Sequence, residues 1–127
     1  MPLTHIEHFL IQTADMEKTV AWYVDVLGMK TGPHPDFKFP VCWLYLDDEP
    51  VLHIAEGGAN VSENRMRYLG QQSQETFGSG VVDHIAFRAS GLPQMLTHLQ
   101  KLGSRLCDLN DSDLAQLALP DKLLDAI

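Results

Sequence analysis

Along residues 6–13, IEHFLIQT, alternation places His8, Leu10 and Gln12 on one side of an extended chain and Phe9, Ile11 and Thr13 on the other. The second set suits packing beneath a helix. The first puts polar groups on a face that would be apolar if it were only core. The period then changes. Met16, Val20, Tyr23 or Val24, and Leu27 recur at helical spacing behind Asp15, a residue type that caps helix N-termini, and before Gly28, which supplies a left-handed stop. Gly32, Pro33, Pro35 and Pro40 interrupt the next stretch, within which the alternation Asp36-Phe37-Lys38-Phe39 predicts a short strand. Val41 to Leu46 is a near-continuous apolar run of strand length, Asp47-Asp48-Glu49-Pro50 is a turn, and Val51 to Ala55 is the returning strand. The first part of the chain therefore reads β, α, then three strands ending in a hairpin.

A second version of the opening occurs at His84 to Gly103. Ile6-Glu7-His8 matches Val82-Asp83-His84, and both helix-like runs close on glycine, as Val26-Leu27-Gly28 and Lys101-Leu102-Gly103. A shared strand, helix and glycine stop is the signature of a duplicated unit. In the second copy His84, Ala86 and Arg88 share one face and Ile85 and Phe87 the other. Pro93 sits in the first turn of the helix, and Leu92, Met95 or Leu96, Leu99 and Leu102 form its apolar stripe. Residues 57–80 are polar and Gly-rich and read as a linker with one helical turn around Arg65 to Leu69. Residues 104–127 alternate weakly; the repeat requires strands there, against a competing helical reading from Asp113. The expected organisation is one domain over 1–127, with module one at 1–56, the linker at 57–80 and module two at 81–127.

Composition narrows the function classes. The 127 residues are 45% hydrophobic and 20% charged, and no apolar run approaches the roughly 20 residues of a membrane span. The N-terminus carries no basic segment followed by an apolar run, so a cytoplasmic protein is expected. A net charge of −8 argues against nucleic acid or anionic membrane as partners, because clustered Lys and Arg hold both. Cys42 and Cys107 have no metal-ligand spacing and read as reduced core thiols.

The chain resembles the vicinal oxygen chelate superfamily, which contains glyoxalase I, fosfomycin and bleomycin resistance proteins, methylmalonyl-CoA epimerase and type I extradiol dioxygenases. The residues that carry the resemblance are His8 with Asp15 seven positions later, Trp22-Tyr23, Val26-Leu27-Gly28-Met29, and Val82-Asp83-His84-Ile85-Ala86-Phe87. Within the family it leans toward small proteins related to biphenyl-2,3-diol dioxygenases. The resemblance implies an α+β fold of two βαβββ modules curled around a divalent metal, here with shortened or divergent C-terminal strands in the second module, and a homodimer.

Carried over residue by residue, the resemblance places His8 and His84 on the metal histidines that open the two modules. His53 falls where glyoxalase I has a ligating glutamate, and it is open as a third nitrogen ligand, an acid or base beside the metal, or a substrate contact. Glu56, three residues on, faces the other way. His5 lies opposite His8 and is expected to be exposed, while His34 and His98 carry no signal. The chain departs from the family at its far end, which has no glutamate after Glu75 and no glycine after Gly103. Asp125, in Leu124-Asp125-Ala126, stands for the missing carboxylate, or the segment supplies no ligand.

Two histidines and one carboxylate form the facial triad of Fe(II) oxygenases, so His8, His84 and Asp125 with His53 as acid or base imply an extradiol dioxygenase-like enzyme acting on a small substrate through vicinal oxygens. A glyoxalase- or epimerase-like lyase or isomerase would use Zn, Ni, Mn or Co instead. The alternative is a metal-free protein of the bleomycin resistance type that sequesters a ligand, with Phe39, Trp43 and Tyr45 as aromatic walls.

Overall fold

A computed structural model describes residues 2–58, 61–70, 76, 78, 82 and 85–103, and the backbone of 122–125. The chain divides into two compact units, Met1–Gly78 and Ser79–Ile127, and the boundary falls inside the stretch read as a linker.

The first unit holds β1 (Phe9–Thr13), α1 (Met16–Leu27), β2 (Lys30–Gly32), β3 (Val41–Leu46), β4 (Glu49–Glu56) and α2 (Glu63–Leu69). Its four strands form one sheet in the order β1-β4-β3-β2. β1 and β4 run parallel with Leu10 beside His53 and Gln12 beside Ala55. The β3–β4 hairpin places Trp43 opposite His53 and Leu44 opposite Leu52. This is the βαβββ order expected of module one.

Both ends of α1 are fixed by the residues that predicted them. The Asp15 carboxylate accepts the Lys18 N–H at 3.0 Å. At the other end Gly28 adopts φ 73°, and its N–H bonds the Val24 carbonyl at 3.0 Å while Met29 N–H bonds that of Tyr23 at 3.2 Å. Leaving the helix this way carries Met29 into the core, where it is 2% exposed. The core lies on the helix-facing side of the sheet: Tyr23, Met29, Leu44, Leu52 and Ile54 are buried together, with Phe9, Ile11, Val20, Val24 and Leu27 packed around them. Strand parity sorts the faces as the alternation indicated.

Two parts of the first unit differ from expectation. The strand predicted at Asp36–Phe39 does not form; its place in the sheet is taken by Lys30–Gly32, paired with Trp43–Tyr45. The Asp36 carboxylate accepts the Lys38 N–H at 3.1 Å, and Lys38 adopts φ 61°, so the segment bends instead of extending. Gly32 suits the edge position because a Cβ there would lie 2.4 Å from the Tyr45 ring. The linker also contains a seven-residue helix, α2, where a single turn was read; Ser62 caps it by accepting the Arg65 N–H at 3.2 Å.

In the second unit the described elements are β5 (Ala86–Ala89), α3 (Leu92–Lys101) and β6 (Lys122–Asp125). β6 pairs with β5 antiparallel, Ala86 opposite Asp125 and Arg88 opposite Leu123. A chain-end strand is present, as the repeat requires. Its direction differs from that of β4 on β1, so this pair does not reproduce the first unit's parallel one. Residues 104–121, where the remaining strands of module two were expected, lie outside the described residues.

Candidate functional site in the first unit

The sheet face opposite the core gathers the chemistry. Because His8, Leu10 and Gln12 alternate with the core-facing residues of β1, and Trp43 and His53 do so on β3 and β4, all five are directed to this side. The rings stack. His53 lies on Trp43 with centroids 4.0 Å apart and planes within 6°, and His8 covers His53 at 3.8 Å and 16°. Beyond Trp43 the series continues through Phe37 at 6.3 Å, and Tyr68 of α2 meets Phe37 edge-on at 5.3 Å. The residues that failed to become a strand therefore supply part of an aromatic wall.

Burial and its neighbours hold His53 neutral. It is 7% exposed, and burial pushes its pKa below the ordinary value, as does the nearby His8 imidazole; a hydrogen bond to the Pro50 backbone acts in the opposite sense. Its Nε2 is buried without a hydrogen-bond partner among the described residues. His8 is different. It precedes β1, its side chain is 39% exposed, and its Nδ1 lies 3.4 Å from the Glu7 carboxylate.

At the Gln12 end, α2 turns Arg65 inward. Arg65 is 2% exposed and donates from one terminal nitrogen to the Gln12 side-chain oxygen at 2.9 Å. Its Nε has no partner among the described residues. Tyr68 follows Arg65 by three positions, so both lie on one face of the helix. Gly57 leaves the space that Gln12 fills: a Cβ on it would stand 2.8 Å from the Gln12 Cβ.

The predicted site residues fall into three groups. His8 and His53 are brought together. His84 lies outside the described residues. Asp125 is placed by backbone register opposite Ala86, two positions after His84 in sequence. Of the other residues weighed, His5 is exposed as expected, and Glu56 is exposed at the end of β4. The alternation had already marked Gln12 as an unexpected polar residue on the His8 face. Arg65, Phe37 and Tyr68 were not assigned to the site; the Ser62 cap and the Gly70 stop around α2 were the available signal that these residues belong to an ordered element.

As placed, His8 and His53 do not suit a shared metal ion. Imidazole donates in its ring plane, and an ion midway between near-parallel rings 3.8 Å apart would stand about 1.9 Å out of each plane. That is nearly a full Zn–N bond of about 2.0–2.1 Å. Among the described residues no group of three or more His, Cys, Asp or Glu side chains is placed to hold a metal. The two rings pack face to face, with His8 the outer ring of the stack.

Comparison with known proteins is consistent with this architecture. An integron cassette protein, VCH_CASS1, from the mobile metagenome of V. cholerae shares the fold with a TM-score of 0.54 and 19% identity, covering 81% of this chain and 70% of that one. No curated protein matches the chain. No described helix is long and apolar enough to cross a membrane. The family model of the Glyoxalase/Bleomycin resistance protein/Dioxygenase superfamily matches residues 5–105, the β1–α1 opening and its second copy alike, and the chain belongs to that superfamily.

Proposed function

We propose that the protein binds a planar, ring-containing small molecule on the non-core face of its first unit, in the manner of the ligand-sequestering branch of its superfamily. The observation that carries this reading is the run of rings from His8 through His53 and Trp43 to Phe37. Because His53 is sandwiched between Trp43 and His8, the stack meets a flat ligand through its ring edges and the outer face of His8, and His53, its pKa lowered by burial, adds a polar atom there. His8, exposed and outside the strand, is the ring a ligand would displace or stack upon.

The chain's two tryptophans make the test direct. Trp43 belongs to the proposed surface and Trp22 lies 42% exposed on α1. In a Trp22→Phe background, aromatic ligands should quench the remaining fluorescence saturably. If binding measured by calorimetry is unchanged in Trp43→Leu, the proposed surface is wrong.

A second reading is a metal-dependent, extradiol dioxygenase-like enzyme in which His8, His84 and Asp125 bind Fe(II) and His53 serves as acid or base. A lyase or isomerase using Mn, Ni, Zn or Co is its variant. It is favoured by the register that sets Asp125 opposite Ala86. Metal content of the wild type beside His84→Ala separates the two. Stoichiometric metal lost in the variant supports the enzyme; no binding of Fe(II), Mn, Ni or Zn supports sequestration. Either reading is compatible with a homodimer, which sedimentation at micromolar concentration tests.

A further inference from the structure

We propose that Arg65 is an anion anchor and that the ligand of the first unit is a small aromatic carboxylate. This rests on the ring-binding reading above and assigns the ligand's charge. A guanidinium is always charged in proteins and carries five N–H donors. At 2% exposure Arg65 has given up most of its hydration. In return it has a neutral amide oxygen, that of Gln12 at 2.9 Å. Its Nε is buried with no partner, and no carboxylate lies within ion-pair distance among the described residues. Buried charges are ordinarily paired, because taking an unpaired ion out of water is strongly unfavourable. An arginine desolvated and incompletely paired beside a stacking surface has the composition of a carboxylate-recognition site, since its planar fork matches a carboxylate in two parallel bonds.

The spacing suits a one-ring acid. Gln12 sits beside Ala55, two residues along β4 from His53 and on the same sheet face. With strands roughly 4.8 Å apart and a rise of about 3.3 Å per residue, that diagonal is on the order of 8 Å. A benzene-sized ring lying against the ring edges of the His53–Trp43 stack, with its carboxylate turned toward Arg65, spans most of it. The charge-assisted bond adds roughly 2.8 Å. Gly57 is part of the arrangement because it leaves the Gln12 side chain room to hold the guanidinium.

The experiment is a titration of the full chain with benzoate and, separately, with benzamide, its neutral counterpart, followed by calorimetry and Trp43 fluorescence at constant ionic strength. Benzoate is expected to bind at least tenfold more tightly, and Arg65→Gln to abolish that preference while retaining benzamide binding. Equal affinity for the two in the wild type overturns the anchor and leaves the ring-binding reading standing, as would follow if a carboxylate of the chain itself already satisfies Arg65. No binding of either overturns both. If Arg65→Gln loses its far-ultraviolet circular dichroism, Arg65→Lys decides: it keeps the charge without the fork, so a preference reduced several-fold supports the anchor and an unchanged one refutes it.

Discussion

Replacing Gly57 by Ala tests whether the packing around Gln12 is as tight as it looks. The new methyl carbon would stand 2.8 Å from the Gln12 Cβ and 3.0 Å from both Cγ and Cδ. Carbon atoms pack comfortably at about 3.5–4.0 Å, so the overlap is roughly half an ångström or more. Neither side yields easily. The Gly57 N–H is tied to the Thr13 carbonyl at 2.9 Å, and the Gln12 Cβ is fixed by the β1 backbone. Overpacking of this kind costs about 1–3 kcal/mol. If Gln12 swings away it releases Arg65, and a lost bond to a charged group adds about 1.5–3 kcal/mol. Against this, alanine narrows the unfolded ensemble by about 0.4–1 kcal/mol.

With both costs counted, the net expectation is a destabilisation of about 1.5–5.5 kcal/mol, read as a urea midpoint lowered by on the order of 1 M or more at unchanged slope. Gly28→Ala is the control, because there a Cβ meets nothing within 4 Å and only the φ of 73° resists it. It should cost about 1 kcal/mol through backbone strain alone. A Gly57→Ala protein within about 0.5 kcal/mol of the wild type would refute the packing argument, and with it the claim that Gln12 is held in place for Arg65.

His53 should give the protein an acid-sensitive stability. Its native pKa is depressed by burial, so between that value and the ordinary value near 6.5 the unfolded chain binds a proton that the native state does not. Stability is then complete above pH 6.5 and falls as pH drops, by at most about 1.4 kcal/mol per pH unit, until the native pKa is reached. Urea titrations of wild type and His53→Gln between pH 7.5 and 5 should diverge toward acid, and parallel curves would count against a buried neutral imidazole. His8→Ala, which removes the outer ring of the stack, should leave stability within about 0.5 kcal/mol, since His8 precedes β1 and its side chain is 39% exposed; a cooperative midpoint shift beyond that would give His8 a structural role.

The parts of the fold legible in the sequence are those where one residue type has one physical use. Asp15 and Gly28 bounded α1 because a carboxylate can take a free N–H and glycine tolerates positive φ. Strand parity separated core from site on β1, β3 and β4. Alternation misled at Asp36–Phe39, where a carboxylate bonding its neighbour's N–H outcompeted sheet pairing. In β2 the weak sequence Lys30–Gly32 pairs because Gly32 accommodates the Tyr45 ring, a long-range fact that no local pattern contains. The site divides in the same way. His8 and His53 were legible from their face, but their mutual stacking was not, since imidazoles that share a face can converge on an ion or lie against each other. Arg65 was hidden because its role arises from Gln12, 53 positions away in sequence.

Leu52 and His53 are consecutive residues on opposite faces of β4, and they separate stability from binding. Leu52 is wholly buried among Tyr23, Leu44 and Ile54, so Leu52→Ala should cost about 2–5 kcal/mol by transfer and cavity terms. Its effect on ligand affinity should be small in the molecules that remain folded. His53 has a buried Nε2 with no partner, and such a group costs about 1–3 kcal/mol. His53→Leu removes it at similar volume and should be neutral or stabilising, while weakening the binding of aromatic ligands. That opposition is the mark of a residue retained for function at the expense of the fold. Denaturation midpoints and ligand titrations of the two variants side by side measure it directly. If His53→Leu instead destabilised the protein by as much as Leu52→Ala, His53 would belong to the core, and the stacked rings would be packing and not a binding surface.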